Sequence, residues 1–178
     1  MVTEFSLPAG RYQLRVAAGN LTGKAGSVMF DLDVPDFTKA PLTMSGVSLT
    51  STSAHDVFTR VIKNPLGDVL QGPITAAREF AVGDRLTLFT EVYENLRRPA
   101  AHSIDLKAVL RADDGRIMRT VAEQRSSTEL QGKATGYGFT AELPLDDLAP
   151  GLYVIHVEAQ ANIGDRPTVS RDVLIRVR

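Results

Sequence analysis

The chain has no cysteine and no tryptophan, and only 6% of its 178 residues are aromatic. The missing thiols exclude a disulfide framework, thiol catalysis and thiolate zinc sites together. Scarce aromatics remove the usual advertisement of a sugar-binding sandwich. Charge of one sign is also lacking: 20 basic against 21 acidic residues leave a formal net charge of −1. Nucleic acid is therefore a poor partner, since its binding leans on clustered Lys and Arg that neutralise phosphate. No apolar run approaches the ~20 residues of a membrane span, and Met1-Val2-Thr3-Glu4 lacks the basic and then apolar regions of a signal peptide.

Alternation at period 2 fills the space these absences leave. Tyr12, Leu14, Val16 and Ala18 alternate with polar or small residues, and Val28, Phe30, Leu32 and Val34 repeat the pattern after a loop at 19–26. Pro35 to Pro41 then resembles a short linker. Further on, a first strand is expected over Thr43–Thr50, a short one around Phe58–Ile62, and longer ones over 85–93, 103–111, 116–123, 137–145, 151–159 and 169–177. Asp113-Asp114-Gly115 marks a hairpin turn. A helical turn is expected near Asp146-Asp147-Leu148 or within 51–73. No helical period rises above the alternation, so the expectation is an all-β, immunoglobulin-like Greek-key sandwich.

The best-specified strand follows Pro150-Gly151. Pro150 presets a turn, Gly151 is free to adopt positive φ, and Tyr153 stands where a Greek-key "tyrosine corner" would sit, its hydroxyl bonding backbone a few residues upstream. Sliding the chain on itself by 141 positions aligns 7–34 with 148–175 without a gap, with eight of 28 residues identical. Gly10 meets Gly151 and Tyr12 meets Tyr153, whereas Phe30 falls opposite Arg171. Pro150, Gly151, Tyr153, Gly10 and Tyr12 are therefore read as structural positions. The expected division is a hairpin at 1–36 left over from a preceding module, a linker at 37–42 and a complete sandwich at 43–178. With no strands of its own to cover its apolar face, the hairpin is expected to favour self-association through residues 1–36.

Candidate chemistry is thin. His55, His102 and His156 are far apart and read as surface residues, because no motif supplies partners for a ligand set or triad. Asp31, Asp33 and Asp36, and the pairs Asp113-Asp114 and Asp146-Asp147, offer carboxylates to Ca²⁺ without an EF-hand loop. No G-x-S-x-G elbow or phosphate loop accompanies the serines and glycines. No catalytic residue, metal ligand or cofactor site is assigned.

The runs 7–18, 31–37 and 41–49, then Ala77-Arg78-Glu79-Phe80, Arg111 to Gly115, Arg125-Ser126-Ser127 with Glu129 to Gly132, and 145–159, are similar in order and spacing to the C-terminal region of bacterial von Willebrand factor A (VWFA)-related proteins. That resemblance implies a secreted or envelope protein in which a VWFA domain does the ligand or metal work and immunoglobulin-like domains follow it. The chain holds neither a VWFA domain nor its D-x-S-x-S metal motif, so no site residue carries over. The expected role is a non-catalytic spacer or protein-interaction module, its partner a protein met through an upstream VWFA domain or an exposed sheet edge. The alternative is a carbohydrate- or envelope-binding sandwich.

Overall fold

The computed structural model describes residues 5–53, 66–96, 100–130 and 136–178. Among the described residues eleven strands follow in order: β1 Gly10–Gly19, β2 Ala25–Val34, β3 Leu42–Met44, β4 Ser48–Ser51, β5 Glu79–Phe80, β6 Arg85–Glu94, β7 Ser103–Ala112, β8 Ile117–Ser126, β9 Tyr137–Pro144, β10 Gly151–Ala161 and β11 Thr168–Val177. A 3-10 helix, Ser127–Leu130, follows β8; within 51–73, where a helical turn was expected, the Leu70 amide donates to the Leu66 carbonyl at 2.7 Å, and residues 54–65 lie outside the described residues.

Nine of these strands build an immunoglobulin-like Greek-key sandwich. One sheet has the order β5-β11-β10-β7-β8; in the other, β6 is flanked by β9 on one edge and by β3 and β4 on the opposite edge. All pairings are antiparallel except β5 with β11. The chain crosses from sheet to sheet at β4–β5, β5–β6, β6–β7, β8–β9 and β9–β10, and the last three crossings give the Greek key.

Period-2 alternation decides which side chains enter the core. Leu86, Leu88 and Val92 of β6 and Phe139, Ala141 and Leu143 of β9 are buried in one sheet, facing Ile104, Leu106, Ala108 and Leu110 of β7 and Tyr153, Ile155, Val157 and Ala159 of β10 in the other. At ~25 cal/mol per Å² of apolar surface removed from water, this layer is the principal stabilising term of the module. The opposite face of β6 is partly covered as well: Phe89 is buried, and a Cβ added to Gly138 across the strand pair would lie 3.1 Å from its ring.

Thr43–Thr50 does not form one strand. The chain breaks at Ser45-Gly46-Val47, and Ser45 substitutes for the missing ladder. Its amide donates to the Glu91 carbonyl at 2.8 Å, and its Oγ accepts from the Glu91 amide at 3.0 Å and lies 3.0 Å from the Thr90 hydroxyl. The linker is also shorter than expected, because Leu42 already belongs to β3 and is buried. Its first residue is docked: the Phe37 carbonyl accepts from Thr43 Oγ1 (2.9 Å) and Asn95 Nδ2 (2.6 Å), and the Phe37 ring lies 5.2 Å from that of Tyr93. The strand expected at Phe58–Ile62 lies outside the described residues.

Hairpin β1–β2 stands apart. It forms a two-stranded sheet with an unbroken register from Gly10↔Val34 to Gly19↔Ala25, and none of its residues belongs to the buried core.

Candidate functional site

Two features qualify as candidate sites: the exposed face of the hairpin and a buried polar cluster at one end of the sandwich. Both lie on strands whose alternation was legible, but neither is a catalytic constellation.

The hairpin repeats, residue by residue, the geometry of β10–β11. Tyr153 donates its hydroxyl to the Ala149 carbonyl at 2.7 Å, and Tyr12 donates to the Pro8 carbonyl at 2.9 Å, in both cases four residues back. Pro8 and Ala149 are themselves equivalent in the repeat. Gly151 does not adopt positive φ, and a Cβ there would make only an ordinary 3.8 Å contact with the Tyr153 ring. The left-handed residue of this turn is instead Asp147, at φ 58°, whose carboxylate pairs with Arg119. A Cβ on Gly10 would likewise meet the Tyr12 ring at an ordinary 3.6 Å.

The gapless alignment needs one correction. Tyr12 pairs with Leu32, but Tyr153 pairs with Ile175, so the second strands correspond at a shift of 143 rather than 141. The reason is the connection, which runs over residues 20–24 in the first hairpin and 161–167 in the second. Two extra residues preserve the parity of the strand and slide its register. Phe30 therefore corresponds to Val173, Leu32 to Ile175 and Val34 to Val177, and the mismatch with Arg171 passes from Phe30 to Val28, near the far end of the strand pair.

Equivalence of sequence does not extend to burial. Val157 is 0% exposed where its counterpart Val16 is 49%, and Val173 is half-buried where its counterpart Phe30 is 62% exposed. Phe5, Leu7, Tyr12, Leu14, Leu32 and Val34 line a concavity of about 360 Å³ on this face. On the reverse face of the hairpin Gln13 donates to Asp31 at 3.2 Å and Arg11 pairs with Asp33 at 3.8 Å.

The second candidate corrects the reading of His102 as a surface residue. Its side chain is 4% exposed and that of Glu94 is 7% exposed, with Nε2 and Oε1 2.9 Å apart. This is an ion-pair contact that is not aligned as a hydrogen bond. The ring's Nδ1 lies 2.8 Å from the Ala100 carbonyl, an acceptor only, so Nδ1 carries the proton of that bond. Tyr137 donates to Glu94 Oε2 at 3.1 Å; burial first, and then the Glu94 charge, push its phenol well above the ordinary tyrosine range and keep it a donor. The signal for this cluster was in the alternation. Glu94 extends the inward series Leu86, Leu88, Thr90 and Val92, and His102 precedes Ile104 and Leu106 at the same parity.

The remaining candidates are dispersed. His156 sits on the outer face of the five-stranded sheet, with Nδ1 2.6 Å from Asp172 and Nε2 3.6 Å from Glu158. Asp36 accepts from the amide and hydroxyl of Thr38, and Asp114 holds Arg116 at 2.6 Å, so these carboxylates serve their own turns. Among the described residues no group of three or more His, Asp or Glu is arranged to hold a metal ion, and no helix is long and apolar enough to cross a membrane. His55 lies outside the described residues.

No protein-family model matches the chain, and no curated protein does. Among solved structures, the C-terminal domain of wzt is similar over 79% of this chain and 75% of its own, at 11% identity and a TM-score of 0.47. Dimeric latent PorU from Porphyromonas gingivalis is similar over 97% of this chain, at 13% identity and a TM-score of 0.35; the chain spans 12% of PorU's length. The fold assignment rests on the strand topology itself.

Proposed function

We propose that the protein is a non-catalytic immunoglobulin-like accessory module of a VWFA-related bacterial protein, secreted or held at the envelope, and that it binds protein through hairpin β1–β2. The observation that carries this reading is the uncovered apolar face of the hairpin. Two 10-residue strands at ~3.4 Å rise and ~4.8 Å spacing present roughly 330 Å². Val16, Val28 and Phe30 occupy that face in the open, with Phe5 and Leu7 beside it. An apolar face left in the open supports a protein contact over a plain spacer, while the polar pairs Arg11–Asp33 and Gln13–Asp31 lie on the reverse face of the hairpin.

The test is site-specific photo-crosslinking in cells that make the protein. A photoreactive residue replacing Phe30 is expected to yield discrete protein adducts, while one replacing the exposed Leu174 on the outer face of β11 yields none. Equal yields at the two positions would refute the assignment of the contact surface.

A further inference from the structure

We infer that hairpin β1–β2 is the closing pair of strands of a second immunoglobulin-like sandwich, and that its occupant is a partner protein carrying the other strands of such a sandwich without a last hairpin. The inference rests on the hairpin being a contact surface and names what meets it. The warrant is the second copy of the same surface. Tyr12, Leu14, Val16 and Ala18 stand where Tyr153, Ile155, Val157 and Ala159 stand, and Phe30, Leu32 and Val34 where Val173, Ile175 and Val177 stand. In the complete module that set is covered by the sheet of β3, β4, β6 and β9, and β10 pairs with β7 along its other edge from Tyr153↔Ala112 to Ala161↔Ile104. A surface repeated at these seven positions, with Val28 in place of Arg171 as the one change of type, carries the shape of its cover: an apolar sheet on its face and an antiparallel strand along β1.

The edge supports the same occupant. Among the described residues neither β1 nor β2 pairs with any other strand, and their ten-pair register has no bulge and no proline. Three of the four edges of the sandwich are blunted, β9 being the regular one: β5 has two residues, β3 and β4 are parted at Gly46, and the β7–β8 ladder shifts register at Leu110/Arg111. A long, regular, unblunted edge is a template for strand addition. A second copy fits less well. Two hairpin faces packed together bury roughly 650 Å², short of the about 1,200 Å² of a stable interface, and leave the edge of β1 open.

The acceptor strands of this very module serve as the probe, because the residues to be received match closely in type: Tyr for Tyr, Val for Val, Ala for Ala and Leu for Ile. Residues 43–147 are joined by a flexible linker ahead of residue 1 of the intact chain, and amide exchange is followed by NMR. The added strands are expected to fold onto the hairpin and to slow exchange in β1 by roughly tenfold or more. Phe30→Asp should abolish that protection while leaving β10 unchanged. Hairpin amides that exchange as fast as in the unextended chain overturn the inference. Sedimentation equilibrium of the unextended chain supplies the second arm, with a monomer expected. Association that Phe30→Asp abolishes would make a second copy the occupant, overturning the inference while the contact surface itself stands. Loss of the crosslinks at position 30 would remove the surface as well.

Discussion

Tyr153→Phe isolates a single hydrogen bond. The ring is 5% exposed and packed in the core beside Ile175, its pairing partner on β11, and phenylalanine preserves that packing. The only atom lost is the hydroxyl that donates to the Ala149 carbonyl at 2.7 Å. A neutral hydrogen bond contributes about 1 kcal/mol net to stability. Ala149 is exposed, so water can replace the donor and no buried acceptor is left bare. The expected loss is therefore about 1 kcal/mol, or roughly 3–4 °C in Tm for a module of this size. Tyr12→Phe removes the equivalent bond from a hairpin outside the core and should leave the main transition unmoved. Urea unfolding followed by far-UV circular dichroism measures both. Equal midpoints for Tyr153→Phe and the parent would refute the corner as a stabilising element. A loss well above 2 kcal/mol would show that the ring had repacked and that the hydroxyl was not the source.

Glu94→Ala should lower stability by about 1–3 kcal/mol, because it leaves the buried Tyr137 hydroxyl without its acceptor and the His102 ring without the carboxylate it faces; an unchanged urea midpoint would contradict the buried pairing. Burial works against the Asp84 charge, but donors from the Ser53 side chain and amide, from Thr52 and from the Arg85 amide together outweigh it and hold the carboxyl below its ordinary 3.8. A lowered folded pKa contributes stability that is present above the unfolded value and is lost as pH falls through the folded one, so the parent should weaken below about pH 4 and Asp84→Asn should show a shallower acid limb. Denaturant midpoints at neutral pH and near pH 3 compare the two, and parallel acid limbs would count against it. Millimolar Ca²⁺ or EDTA should leave Tm unchanged, since Asp33 pairs with Arg11 and Asp36 with Thr38 and Lys39; a calcium-dependent rise would reopen the aspartates as ligands.

Period-2 alternation is a local property, written in consecutive residues, and it was sufficient to locate the long strands, their inward faces and the sandwich class. Leu86, Leu88 and Val92 could be assigned to the core without knowing what they faced, because a strand must turn alternate side chains the same way. The repeat was legible for the same reason, down to Tyr12 and Tyr153. Its register was not: a two-residue difference in a connection preserves parity, and only the strand pairings show that Phe30 answers Val173 and not Arg171. The break at Gly46 depended on Ser45 finding Glu91 and Thr90 on a strand some 45 positions away. His102 and Glu94 carried the inward parity in plain view, yet a histidine and a glutamate end up inside only where each can be the other's partner, and that pairing is tertiary. The hairpin makes the division sharpest. One apolar pattern occurs twice, and the sequence determines equally in both places that a face will form. Whether that face is buried depends on which strands lie opposite, so the tertiary structure alone hides Val157 and leaves its counterpart Val16 in water.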